Sequence, residues 1–282
     1  MKNRYTRREA LELGLGAVAL GASATLPSAA QTPKTVTKEE RMPAVKDFNT
    51  YGEKLEHTLI LRTSPIALKM LEREAEIPPG AFRPSRDGKY HIAQCQAFAL
   101  SRREGKTVAM LKEDHWCPTA LMAYGMVEKP DSISAWTHPY DSFERGKYIG
   151  VLSAPLKSAS FVPDLVVAYM NNAQLRALLL SMKVGEVPEV RGHFFPPSCG
   201  YSVVDPIKTG KSWVVLPDPG EYQRALTAED EIIFSVPRDR MPGLIAGLEA
   251  GGMFSYKGHN MVMLPDFEQP QFYTDLFKSW GR

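Results

Sequence analysis

The sequence contains little cysteine, and no two of its cysteines are close together. Its 282 residues include only three, Cys95, Cys117 and Cys199, which is too few for a disulfide framework. The close Cys-x-x-Cys spacing that would by itself indicate a zinc or iron–sulfur site is absent. One disulfide with a third, buried thiol therefore stays open as an interpretation.

Net charge is also small once the first thirty residues are set aside. The chain carries a formal charge of +2, and residues 1–30 account for all of it, with four basic and two acidic side chains. The rest of the chain is close to neutral and gives no electrostatic reason to expect a nucleic-acid partner. An unknown protein or a small molecule remains as the expected partner.

Long apolar runs are absent, and the most prominent one lies near the N-terminus. It covers 14 residues from Leu13 to Leu26, whereas a membrane-spanning helix needs about 20. Thr6-Arg7-Arg8 precedes this run, and the small residues Ser28-Ala29-Ala30 follow it. The arrangement predicts a twin-arginine-type signal peptide over residues 1–30 and a periplasmic or other extracytoplasmic location.

Two positions depart from the twin-arginine consensus. Ala10 stands where Phe is usual and Glu12 where Lys is usual, so the general secretory route stays open as the alternative. Residues 31–47 are polar and are predicted to be a flexible lead-in. We expect no membrane span after signal cleavage.

From Phe48 the hydrophobic pattern predicts a single globular domain over residues 48–282. Apolar runs bounded by Pro and Gly predict strands, and apolar residues at helical spacing predict helices. The predicted strands are 66–71, 107–111, 164–170, 213–216 and 231–236, and the predicted helices are 91–102, 118–124, 173–182 and 242–248. The fold class is therefore α+β, in a mixed α/β arrangement. Asn172 is expected to cap its helix, and Arg102-Arg103 is interpreted as a solvated helix end.

A short internal repeat suggests a duplication. Gly105-Lys106-Thr107 and Gly210-Lys211-Ser212 each precede a predicted strand, and they follow Cys95 and Cys199 by ten and eleven residues. Two similar αβ halves, 48–150 and 151–265, would explain this pattern, and chance is the alternative. Neither copy is a phosphate-binding P-loop, because the first glycine of the G-x-x-x-x-G-K-S/T motif is missing in both.

The surroundings of the cysteines favour a shared site. Cys95 and His91 are four residues apart in a predicted helix, Cys117-Pro118 begins another helix, and Cys199 lies in a Pro- and Gly-rich turn. Three thiolates from separate segments can hold one metal centre, and soft thiolates favour iron–sulfur or zinc. We therefore predict a cofactor bound by Cys95, Cys117 and Cys199, with His115, His91 or Asp218 as a fourth ligand.

The predicted cofactor is a [4Fe–4S] cluster, with zinc or no cofactor as alternatives. Twin-arginine substrates cross the membrane folded, often after loading a cofactor, which agrees with this prediction. The expected function is that of an exported metal- or iron–sulfur-binding protein acting as a redox or accessory factor. A cofactor-free binding module of an exported enzyme complex, with structural cysteines, is the alternative. Whether the protein is an enzyme stays open, because a thiol enzyme would need a base that the sequence does not identify.

These motifs resemble a known family. Cys95-Gln96-Ala97, Cys117-Pro118, Cys199-Gly200 and the segment 232–248 are similar, in order and context, to the uncharacterised archaeal cysteine-rich (ArCR) family, a domain of unknown function. The resemblance covers roughly residues 59–248 and implies a cysteine-centred site without a settled activity. It also implies a further cysteine near Asp218 in many members. This chain lacks that cysteine, which favours three thiolates and one other ligand.

Overall fold

The computed structural model describes residues 42–130, 141–185, 189–250 and 271–281. The predicted signal peptide lies outside these residues, as does most of the predicted lead-in. Contacts group the chain from Met42 onward into one compact unit. None of the helices in the described ranges is long and apolar enough to cross a membrane.

A seven-stranded mixed sheet forms the centre of this unit. Its strands lie in the order β2-β3-β1-β4-β7-β6-β5, and all neighbours are antiparallel except β5 and β6. The strands are β1 (Ile66–Leu71), β2 (Val108–Leu111), β3 (Gly150–Pro155), β4 (Leu165–Met170), β5 (Val190–His193), β6 (Ser212–Val215) and β7 (Ile232–Pro237).

Helices accompany the sheet along the chain. They are α1 (Val45–Leu59), α2 (Gln94–Glu104), α3 (Pro118–Ala123), α4 (Asn172–Val184), α5 (Asp205–Thr209), α6 (Pro219–Arg224), α7 (Met241–Ala250) and α8 (Gln271–Ser279). A wide π-type turn, Gly200–Val204, leads into α5. Successive residues of β1, such as Ala67 and Leu68, belong to two different hydrophobic cores, because successive side chains of a strand point to opposite faces of the sheet.

The α+β fold class is confirmed, and the predicted strands lie close to their expected positions. Strands β3 and β5 were not predicted. The prediction that Asn172 caps its helix is wrong, because Asn171 caps α4. Asn171 has an extended backbone, and its side chain accepts a hydrogen bond from Gln174 N. The helix predicted from His91 begins at Gln94 instead. Residues just before it are held extended, since Ile92 forms a parallel bridge with His115.

The strand order is symmetric about the pairing of β1 with β4. On one side lie β3 and then β2, and on the other lie β7 and then β6, with β5 added at the edge. Both Gly-Lys-Ser/Thr repeats lead into the strands that correspond in this order, β2 and β6. The duplication stays a prediction, and its halves, 48–150 and 151–265, divide after the first residue of β3.

Candidate functional site

All three cysteines line one cavity on the face of the sheet covered by α2 and α3. The cavity has a volume of about 320 Å³, and Asp218 lines it together with the cysteines. The cysteines are free, so the disulfide interpretation does not apply to this structure. The lining also includes Gln94, Ser198, Gly220 and Arg224.

Cys95 is the second residue of α2 and contacts the loop that begins α6. Its Sγ lies 3.7 Å from the carbonyl oxygen of Gly220, which accepts a hydrogen bond from the thiol. Burial, reinforced by the charges of Glu221 and Asp218, raises the pKa of the Cys95 thiol to about 12. Cys95 is therefore a neutral thiol at neutral pH.

Cys117 is the N-cap residue of α3, and Pro118 occupies the first helical position, where a missing N–H costs nothing. The preceding residue, Trp116, is about half exposed. Its indole N–H donates a hydrogen bond to Gln96 Oε1 at 3.3 Å, which ties this segment to the first turn of α2. The guanidinium of Arg224 lies 4.7 Å from the centre of the Trp116 ring.

Cys199 is placed by a clamp that Asp218 forms. Asp218 caps α6, where its Oδ1 accepts hydrogen bonds from the backbone N–H groups of Gly220 (2.8 Å) and Glu221 (3.3 Å). Its Oδ2 accepts hydrogen bonds from both the backbone N–H and the hydroxyl of Ser198, each at 3.0 Å. One carboxylate thus holds the turn that carries Cys199 against the start of α6.

Cys199, like the other two cysteines, is partly buried. Burial, reinforced by Asp218, raises the pKa of the Cys199 thiol well above its usual range. Cys117 and Cys95 contribute to the same rise, so the three thiols lie near enough for the charge of one to affect the others.

The two histidines proposed as ligands do not line the cavity. His91 is exposed and precedes α2, so it does not share a helix face with Cys95 as predicted. His115 is buried, with its ring 6.5 Å from that of Tyr124, and neither ring nitrogen has a hydrogen-bond partner in the described ranges. Burial lowers the pKa of His115 to about 4, which keeps the imidazole neutral at neutral pH.

Within the described ranges, no three His, Cys, Asp or Glu side chains stand close enough together to hold a metal ion. The cysteines share a cavity, but their sulfur atoms would have to approach one another to bind one metal centre. The predicted fourth ligand, Asp218, already accepts four hydrogen bonds. These bonds indicate that Asp218 holds Ser198 and the start of α6 together.

Sequence reasoning missed four polar residues at this site. Gln94 is 2% exposed, and neither atom of its amide has a partner in the described ranges. The hydroxyl of Tyr124 is likewise buried and unpaired there. Glu221 and Arg224 both lie on α6, three and six residues after Asp218. The only signal in the sequence was proximity to Cys95, Cys117 and Asp218.

Glu221 is a buried carboxyl group behind the thiols. The hydroxyls of Tyr169 (3.0 Å) and Thr227 (3.0 Å) donate hydrogen bonds to its Oε2. Burial, together with the charge of Asp218, nevertheless raises the pKa of Glu221 to about 7. The site therefore contains a carboxyl group that exchanges a proton near neutral pH.

Arg102 supports this network from α2 and is not the solvated helix end predicted from the sequence. It is 3% exposed, its Nη1 donates to Glu231 Oε1 at 3.2 Å, and its guanidinium lies 4.0 Å from the centre of the Tyr169 ring. The prediction was wrong because helical position alone does not show that the end of α2 is covered by the segment 225–231.

Fold and site together define an α+β protein with a cysteine-lined cavity. The profile of the uncharacterised ArCR family (DUF169) matches residues 54–247, and the chain belongs to that family. The match includes every cavity residue named above. No curated protein and no solved structure matches the chain significantly.

Proposed function

We propose that the protein is an exported, cysteine-dependent metal- or iron–sulfur-binding protein that serves as a redox or accessory factor. The observation that carries the proposal is that three free cysteines, from three separate segments between residues 95 and 199, line one cavity. Thiolates are the donors that iron–sulfur groups and zinc prefer. Cys95, Cys117 and Cys199 would be the ligands.

The residues around the cysteines fit such a group by their chemistry. The unpaired Gln94 amide and Tyr124 hydroxyl offer hydrogen-bond donors, and donors directed at sulfur tune bound clusters. Asp218 would hold the Cys199 turn in place. A [4Fe–4S] group bound through three cysteines would supply one-electron transfer.

The proposal is tested by anaerobic purification of the full chain, followed by visible spectroscopy and iron and sulfide analysis. We expect about four iron and four sulfide per chain after reconstitution. C117S is expected to lose the colour and most of the iron, because it removes one of three thiolates. H91A is the matched control: it removes a candidate ligand outside the cavity and should keep both. A zinc protein would instead be colourless, with one zinc per chain.

A second candidate is a cofactor-free binding module. It is favoured because, among the described residues, no three His, Cys, Asp or Glu side chains are close enough together to hold a metal ion. In that case the wild-type protein is colourless and metal-free even after reconstitution, and three thiols titrate on denaturation. Such a result would contradict the metal-binding proposal. C117S would then differ little from the wild type in folding and in binding its partner.

We also propose export by the twin-arginine route, supported by Thr6-Arg7-Arg8 and the apolar run behind it. Replacing both Arg7 and Arg8 by lysine keeps the charge, and we expect it to abolish accumulation outside the cytoplasm. R4K is the control and should be exported normally. Cell fractionation of a tagged full chain measures this, and unchanged export of the double-lysine variant would point to the general secretory route instead.

A further inference from the structure

The wall of the cavity at the start of α2 carries a polar side chain that nothing in the described ranges satisfies. Gln94 is 2% exposed and lines the cavity, and both its Nε2 and its Oε1 lack a hydrogen-bond partner. Native proteins rarely leave a buried amide unpaired unless a water molecule or ligand completes it. Its two ends require an occupant that both accepts and donates hydrogen bonds.

Arg224 lines the same cavity and is also unsatisfied. Its Nε is buried without a hydrogen-bond partner in the described ranges, and no described carboxylate forms an ion pair with it. It lies close to Gly220, where an added Cβ would stand 2.5 Å from Arg224 Nη2. Stacking on Trp116, which is bonded to Gln96, holds the guanidinium beside the first turn of α2.

The start of α2 adds a third feature that favours an anion. This helix has 11 residues, and its N-cap residue, Ala93, has no side-chain acceptor for the first amide groups. Unpaired N–H groups and the helix dipole make such an end attractive to negative charge. Gln94 and Cys95, the first two residues of α2, both line the cavity.

We propose that this end of the cavity binds a small hydroxy acid, that is, a carboxylate with a neighbouring hydroxyl group. The planar guanidinium of Arg224 pairs with the carboxylate, which it matches in geometry. Gln94 Oε1 accepts a hydrogen bond from the ligand hydroxyl, and Gln94 Nε2 donates one to a ligand oxygen. The cavity, at about 320 Å³, suits a small molecule.

The charges at the site accommodate one anion. Asp218 is the carboxylate that lines the cavity, and four hydrogen-bond donors already offset its charge. The inference needs only Gln94, Arg224 and the start of α2, so it does not rest on the proposed cofactor.

Calorimetric titration of the metal-free, reduced full chain with L-lactate, propionate and inorganic phosphate tests the inference. Lactate and propionate differ only in the hydroxyl group, so we expect propionate to bind about tenfold more weakly. R224Q should weaken lactate binding about tenfold or more. Q94L should remove the difference between lactate and propionate, because it removes the group that recognises the hydroxyl.

Two matched controls use the same exchanges on exposed residues, R73Q and Q223L, and should bind lactate as the wild type does. Thermal unfolding of each variant establishes that it is folded. Absence of lactate binding, a preference for phosphate, or unchanged binding by R224Q would each overturn the inference. The titration uses metal-free protein and the cofactor test uses reconstituted protein, so loss of the cluster and loss of the ligand are separable results.

Discussion

R102A is expected to lower the free energy of unfolding by about 3–5 kcal/mol, a large part of the stability of an ordinary domain. Arg102 donates hydrogen bonds to Glu231 (3.2 Å), to Thr227 Oγ1 (3.1 Å) and to the carbonyl oxygen of Ala225 (3.3 Å). Truncation leaves the Glu231 carboxylate, which is 3% exposed, without its buried partner. Removing one member of a buried ion pair is far more harmful than replacing both.

The neighbouring arginine supplies the control for this measurement. Arg103 bonds to the carbonyl oxygen of Leu226 and lies 3.7 Å from Glu231, but its side chain is 32% exposed. R103A should therefore cost about 0–1 kcal/mol in urea unfolding. If R102A does not fold, R102M with E231Q removes both charges and should recover folding. An R102A protein within about 1 kcal/mol of the wild type would show that the pair is not buried as described.

The second large effect is a pH dependence of stability that originates at Glu221. Its pKa is raised by burial to about 7 from an ordinary value of 4.5, so the folded protein keeps this proton where the unfolded chain has lost it. Stability is therefore highest below about pH 4.5 with respect to this group and falls as the pH rises to about 7. The loss is about 3 kcal/mol, at about 1.4 kcal/mol for each unit of pKa.

Urea unfolding at several pH values between 4.5 and 8 measures this dependence. E221Q cannot ionise at this position, so it should reduce the change in unfolding free energy with pH. The exposed control E229Q should leave that change as it is in the wild type. Asp205 contributes in the same window, because burial, with Asp141 nearby, raises its pKa to about 6. D205N isolates that second contribution. A wild-type slope that E221Q does not reduce would contradict the assignment.

Most of the central sheet could be predicted because its strands are short apolar runs between turn residues. Ile66–Leu71 and Leu165–Met170 are buried on both faces, so their sequences are almost continuously hydrophobic. Strand β5, Val190–His193, has no such pattern, since it lies at the sheet edge and is largely exposed. Its pairing with β6 could not be inferred from its own residues.

The site was predictable only in part, for the same physical reason. Cysteines are rare enough in this chain that their local motifs drew attention to Cys95, Cys117 and Cys199, which the structure brings to one cavity. Gln94 and Arg102 belong to the same helix and look like ordinary surface residues in sequence. Their burial depends on segments more than a hundred residues away, which helical spacing does not reveal.

The pairing of β1 with β4 has a mechanical consequence for the cavity. That ladder has three residue pairs, whereas the ladders on either side of it, β1 with β3 and β4 with β7, have six each. Cys95 and Cys117 are attached to the strands on one side of this seam, and Cys199 and Asp218 to those on the other. A small rotation about the pairing of β1 with β4 would change the distance from the Cys199 thiol to the other two thiols. It would leave the distance between the Cys95 and Cys117 thiols unchanged. The width of the cavity would thus depend on a ladder of three residue pairs at the middle of the sheet.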